Sequence, residues 1–129
     1  MRINQVKENC LYVKNLQESR RFYHEQLGMP IISFVENRHV FFRAGSSVLL
    51  CFLPEVTKEE KNLPPHYAHG PQHLAFEVPR HEYELWKEKL KKQQVKITHE
   101  QEWKEGKKSF YFEDPSGNVL EILPPGVWE

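Results

Sequence analysis

The chain of 129 residues carries no excess of either charge, with 18 Lys plus Arg against 18 Asp plus Glu. It therefore lacks the basic footprint that a nucleic-acid backbone requires. No apolar run approaches the ~20 residues needed to cross a bilayer. The opening segment MRINQVKENC has no apolar core of the secretory type. Cysteine is scarce: Cys10 and Cys51 form no CxxC pair and no disulfide framework. They read as reduced, buried thiols. These absences exclude nucleic-acid binding, a membrane span and a disulfide scaffold, and lead us to expect a cytoplasmic protein.

Apolar and aromatic residues, by contrast, are present in quantity. The chain is 39% hydrophobic and holds three Trp, eight Phe and five Tyr, enough for the core of one domain over residues 1–129. Gln5 to Val13 reads as a strand. Asn15 is then an N-cap with Glu18 completing a capping box, and Leu16, Ser19, Tyr23 and Leu27 fall on one helical face up to Gly28. Strands are expected over 30–36, 39–43 and 47–53, giving βαβββ. A polar connector occupies about 54–72, long against the ~4–6 residues usual in compact domains. The plan then repeats. A strand runs over 73–78, a helix from Pro79 to about Gln94, and strands cover 96–103, 109–113 and 118–123. The fold class is α+β, with two βαβββ modules (about 1–55 and 70–129) forming a cupped mixed sheet.

Alternation along the strands sorts their faces. Leu11 and Val13, Leu74, Phe76 and Val78, and Leu120 and Ile122 are expected to meet the helices. Glu8, His73 and Glu121 then face the cup, with Tyr111 beside them. An isolated buried carboxylate costs several kcal/mol, a penalty that a divalent cation removes. For each residue alone the alternative is plain: a hydrogen-bonded or half-exposed glutamate, or a histidine satisfied within the core.

The segments ENCLYVKNLQESRRFYHEQLGMP (8–30), GPQHLAFEV (70–78) and SFYFEDPSGNVLEIL (109–123) resemble the vicinal-oxygen-chelate superfamily. That group includes glyoxalase I, bleomycin-resistance proteins, extradiol dioxygenases and fosfomycin-resistance transferases. The resemblance implies a divalent metal ion (Mn, Fe, Ni, Zn, Co or Mg) held by Glu8, His73 and Glu121. Glu8 departs from the His or Gln of several branches. Leu50 falls where glyoxalase I-like enzymes add a fourth ligand, so that site is incomplete. The implied function is a metal-dependent enzyme acting on a small-molecule substrate, of the lyase, isomerase or thiol-transferase kind, in which chelated substrate oxygens gain negative charge. Glu8 or Glu121 could serve as base, and Tyr111 could hold substrate. Lys104, Arg43 and His66 are further candidates for substrate contact. Cys10 faces the cup, and packing is its simpler role. Histidines 24, 39, 81 and 99 read as surface or turn positions. The other readings are a metal-free drug-binding protein of the bleomycin-resistance kind, a vestigial cup kept for dimerisation, and an extradiol dioxygenase, which the count of one His and two Glu disfavours. A homodimer is implied by resemblance, with the ligand set drawn from one chain or two.

Overall fold

A computed structural model describes all of residues 1–129. The chain forms two compact units, Met1–Gly70 and Pro71–Glu129.

The first unit opens with β1 (Glu8–Tyr12) and α1 (Leu16–Arg20). Asn15 caps α1 by accepting the Glu18 backbone N–H at 2.9 Å, satisfying one of the donors a helix start leaves unpaired. The helix then widens into a π-helical stretch, Arg21–Gln26, with Leu27 N–H donating to the Phe22 carbonyl at 3.0 Å. This five-residue step buries both Phe22 and Leu27, a widening that a 3.6-residue pattern does not foresee. Strands β2 (Ile31–Val35), β3 (His39–Ala44) and β4 (Ser47–Phe52) follow, and the sheet order is β1-β4-β3-β2 with β1 parallel to β4. Tyr23 of the helix packs on Phe42 of β3 at 5.4 Å between ring centroids. Leu11, Val13, Val40, Leu49 and Cys51 complete that buried layer. Each such side chain contributes ~1.5–3 kcal/mol.

The connector is more structured than its composition implies. Pro54 starts a short helix, α2 (Pro54–Thr57), where its missing N–H costs nothing. The Thr57 hydroxyl donates to the His66 carbonyl at 2.5 Å, and the His66 N–H donates to the Thr57 carbonyl at 3.1 Å. These two bonds fold the connector back onto its own unit.

The second unit repeats the order. It contains β5 (His73–Glu77), a 3-10 turn (Arg80–Glu82), α3 (Tyr83–Lys92), β6 (His99–Glu102), β7 (Lys108–Glu113) and β8 (Val119–Leu123). Its sheet runs β5-β8-β7-β6, with β5 parallel to β8. Tyr83 and Leu90 of α3 are buried together with Phe110, Phe112, Leu120 and Ile122. The strand expected over 96–103 is confined to His99–Glu102. Gln94, at φ 62, ends the helix, and the residues after it are spent on the return.

Candidate metal centre

The site begins with the turn Asp114-Pro-Ser-Gly-Asn118. Asp114 Oδ1 accepts the N–H groups of Ser116 at 2.8 Å and Asn118 at 2.9 Å, and its Oδ2 accepts the Asn118 side-chain amide at 3.0 Å. Gly117 sits at φ 87, a conformation that favours glycine. Asn118 Oδ1 in turn accepts the Gln72 N–H at 3.0 Å, while Val119 N–H donates to the Gln72 carbonyl at 2.8 Å. The turn thus fastens the start of β8 to the start of β5 and sets their register. His73 lies opposite Val119 and Ala75 opposite Glu121, with Tyr111 flanking Glu121 from β7.

That register brings two candidate ligands together. His73 Nε2 lies 3.2 Å from Glu121 Oε2. Glu121 is buried at 5% exposure, whereas the His73 side chain is half exposed. His73 Nδ1 is 2.9 Å from the Val119 carbonyl oxygen, which can only accept. Nδ1 therefore carries a hydrogen, and in the neutral ring Nε2 turns a lone pair toward the carboxylate. Two acceptors facing at this distance need a positive centre between them, either a proton or a metal ion. Donors bound to one ion at ~2.0–2.2 Å stand about 2.8–3.1 Å apart in octahedral and about 3.3–3.6 Å apart in tetrahedral geometry, so the pair is spaced for a shared divalent cation. A backbone carbonyl holding the far ring nitrogen is also the usual way to orient a metal-binding histidine.

Tyr111 completes the group. Its hydroxyl donates to the Glu121 carboxylate, and its pKa is pushed up by burial first, then by the Glu121 charge and the hydrogen bond itself. The His73 and Tyr111 rings stack with centroids 6.0 Å apart. Ser109, fully buried, accepts from the Trp103 indole N–H at 2.9 Å on the same strand.

Glu8 belongs to the first unit, and its place there is informative. It pairs with Val48 on β4 as His73 pairs with Val119 on β8. Leu50, flanked by Cys10 and Phe41, stands where Glu121 is flanked by Ala75 and Tyr111. By register, then, Glu8 is the counterpart of His73, and the first unit offers one ligand where the second offers two. No group of three or more His, Cys, Asp or Glu side chains suited to a metal forms within the chain.

Residues 2–122 match the Glyoxalase/Bleomycin resistance protein/Dioxygenase superfamily. The chain belongs to this superfamily. A metallothiol transferase FosB of Staphylococcus epidermidis is 29% identical over 95% of this chain and 82% of its own length. The FosB of Staphylococcus haemolyticus is 31% identical over 85% of this chain and 76% of its own. Among solved structures, the lactoylglutathione lyase of Agrobacterium tumefaciens is 27% identical, with a TM-score of 0.94 over 98% of both chains. The paired βαβββ units are the fold expected of this superfamily.

The other candidates spread across the two units. Lys104 is exposed in the 3-10 turn Lys104–Gly106, and Arg43 is exposed on β3. His66 donates from Nδ1 to the Pro64 carbonyl at 2.7 Å, and its ring lies 5.1 Å from that of Phe52, within the first unit. Cys10 and Cys51 are free thiols, and the Cys10 pKa is raised by burial and then by the Glu8 charge. This opposes a nucleophilic thiolate and fits a packing role. Histidines 24, 81 and 99 are exposed as expected, and His99 also packs on Tyr111 at 5.8 Å. His39 corrects the reading. Placed by sequence at a surface or turn, it is buried at 6% exposure. It opens β3 directly after the turn, so that it pairs with Phe52 rather than facing solvent. Only the ring contacts reveal this, and a lone histidine beside a turn gives no such signal.

Proposed function

We propose that the chain is a metal-dependent enzyme that joins a small thiol to an oxygen-bearing electrophile. The observation that carries this reading is the His73–Glu121 pair, an imidazole nitrogen set 3.2 Å from a buried carboxylate oxygen with the ring fixed by Val119. Its kinship to metallothiol transferases supports the reaction class. His73, Glu121 and Glu8 would hold a divalent ion, with Glu8 drawn from the same chain or from a second copy in a homodimer.

When bound, the ion would supply Lewis-acid stabilisation to negative charge on substrate oxygen. The residues of the chain do the rest. The Val119 carbonyl keeps His73 in one tautomer and one orientation. Tyr111 keeps its proton at neutral pH, because burial and Glu121 both oppose its loss, and its single hydroxyl hydrogen, given to Glu121 in the metal-free protein, would turn to a substrate oxygen once Glu121 is engaged by the ion. In the transfer a C–S bond forms and a C–O bond breaks. The bonding pair moves to oxygen, which takes up a proton released by the thiol. The 27% identity to a lactoylglutathione lyase over 98% of the chain favours a second reading, a lyase acting on a glutathione adduct.

Both readings are tested together. The protein loaded with Mn²⁺, Ni²⁺ or Zn²⁺ is given cysteine or glutathione with fosfomycin as the epoxide, and separately the hemithioacetal of glutathione with a 2-oxoaldehyde. Thiol consumption that needs metal and disappears in Glu121→Gln supports the transferase. Turnover of the hemithioacetal alone selects the lyase. Drug binding by chelator-treated protein, with no metal-dependent turnover of either, would place the chain with the metal-free binding proteins.

A further inference from the structure

The first unit buries a titratable side chain that the proposed chemistry does not use. His39 lies between Arg38 and Ser33: Arg38 Nη1 is 2.5 Å from His39 Nδ1, and Ser33 Oγ is 3.0 Å from His39 Nε2. A guanidinium can only donate. His39 Nδ1 must therefore accept, the ring is neutral, and its hydrogen sits on Nε2. Burial, then the Arg38 charge, lower the His39 pKa, which agrees with a neutral ring. Nε2–H consequently donates to Ser33 Oγ. This direction matters. It excludes Ser33 as a nucleophile activated by His39, because a base would have to accept from the serine hydroxyl. It also leaves the hydroxyl hydrogen of Ser33 free to point elsewhere, and no acceptor in the chain takes it.

The surroundings define what could. Arg38 is already neutralised by Glu60 at 3.1 Å, so the pair brings little net charge. The same face of the sheet is aromatic. Phe41 stacks on His39 with centroids 3.9 Å apart, Tyr12 stacks near Phe52 at 6.2 Å, and His66 tilts over Phe52 at 5.1 Å. Phe41, Tyr12 and His66 are only half-buried, so apolar ring surface lies beside an O–H whose hydrogen is available.

We infer that the first unit carries a binding site of its own for a neutral, planar ligand with an acceptor oxygen, an aromatic amide, ester or ketone, whose carbonyl receives the Ser33 hydroxyl. The relay Glu60–Arg38–His39–Ser33 fixes which way the His39–Ser33 bond runs, so that the serine keeps its own hydrogen for a ligand. A hydrogen-bond donor beside apolar surface is how small-molecule sites obtain both affinity and orientation.

The test uses the full chain treated with chelator, so its outcome is independent of the metal. Benzamide is titrated in, and the imidazole ¹⁵N resonances of His39 are followed beside a binding isotherm. Saturable binding that moves the Nε2–H signal of His39, weakened about five- to tenfold in Ser33→Ala as expected for one neutral hydrogen bond, supports the site. Cyclohexanecarboxamide should bind more weakly than benzamide. Equal binding of benzamide to Ser33→Ala, or no saturable binding to a wild type shown to be folded, overturns it. An unbound His39 that titrates as a Nδ1–H tautomer would overturn the relay itself.

Discussion

Replacing Glu121 with leucine separates a carboxylate kept for function from one kept for folding. In the metal-free protein this carboxylate is buried at 5% exposure and has two polar neighbours, the Tyr111 hydroxyl and His73 Nε2. Its removal leaves Tyr111 without an acceptor, costing ~1 kcal/mol for a half-buried group. The His73 side chain is 51% exposed, so water can replace its contact. Against these losses, a desolvated charge is gone and an apolar side chain fills the place. Replacing a whole buried ion pair by apolar side chains is neutral or stabilising by ~1–4 kcal/mol, and the usual cost of removing one partner, a charge left buried, does not arise when the remaining His73 is neutral and half exposed. The balance for metal-free Glu121→Leu is therefore ~1–2 kcal/mol of added stability, raising Tm by about 3–6 °C in a chain of this size. Metal should reverse the order. Wild type at one hundred times its dissociation constant gains ~2.7 kcal/mol, while Glu121→Leu gains little. Thermal and urea unfolding with and without Mn²⁺ or Zn²⁺ measure all four states. A metal-free Glu121→Leu that is less stable than wild type by several kcal/mol would mean the carboxylate is structural. A variant that gains as much from metal as wild type does would remove Glu121 from the site.

Tyr111→Phe should bind metal within a few-fold of wild type yet lose about tenfold or more in turnover, since it removes a donor and no ligand; a large loss of metal affinity would instead make the hydroxyl part of the ion's support. Asn118→Ala breaks the ties to Asp114 and to the Gln72 N–H, so urea unfolding should show a loss of ~2–3 kcal/mol, with metal affinity falling as the β5–β8 register loosens. His39 sets a pH dependence. Its folded pKa lies below its ordinary value of 6.5, so the unfolded chain binds more protons and stability falls as pH drops through about 6.5. His39→Phe should flatten the profile between pH 7 and 5.5, and an unchanged slope would show that other groups cause it.

The strands were legible because alternation is strict where one face is buried. Leu11 and Val13 are buried while Glu8 is exposed, as the pattern requires. The DPSGN turn could be read because Asp, Gly and Asn each have one physical use there. The π-helical stretch after Arg20 could not, since its five-residue step leaves the same apolar residues on nearly the same face. The pairing of His73 with Glu121 follows from strand order, which the repeat suggested. The hydrogen on His73 Nδ1 depends instead on where the Val119 carbonyl points. His39 escaped for the same reason: its burial comes from Phe41, two residues along the strand, and Phe52, one strand away.

The most direct measurement is calorimetric titration of Mn²⁺ or Zn²⁺ into chelator-treated protein, wild type beside His73→Asn, Glu121→Gln and Glu8→Gln. One ion per chain should bind to wild type, and each substitution should weaken it at least tenfold without unfolding the protein. Undiminished binding in His73→Asn or Glu121→Gln, or no binding to wild type, would contradict a metal centre built on this pair.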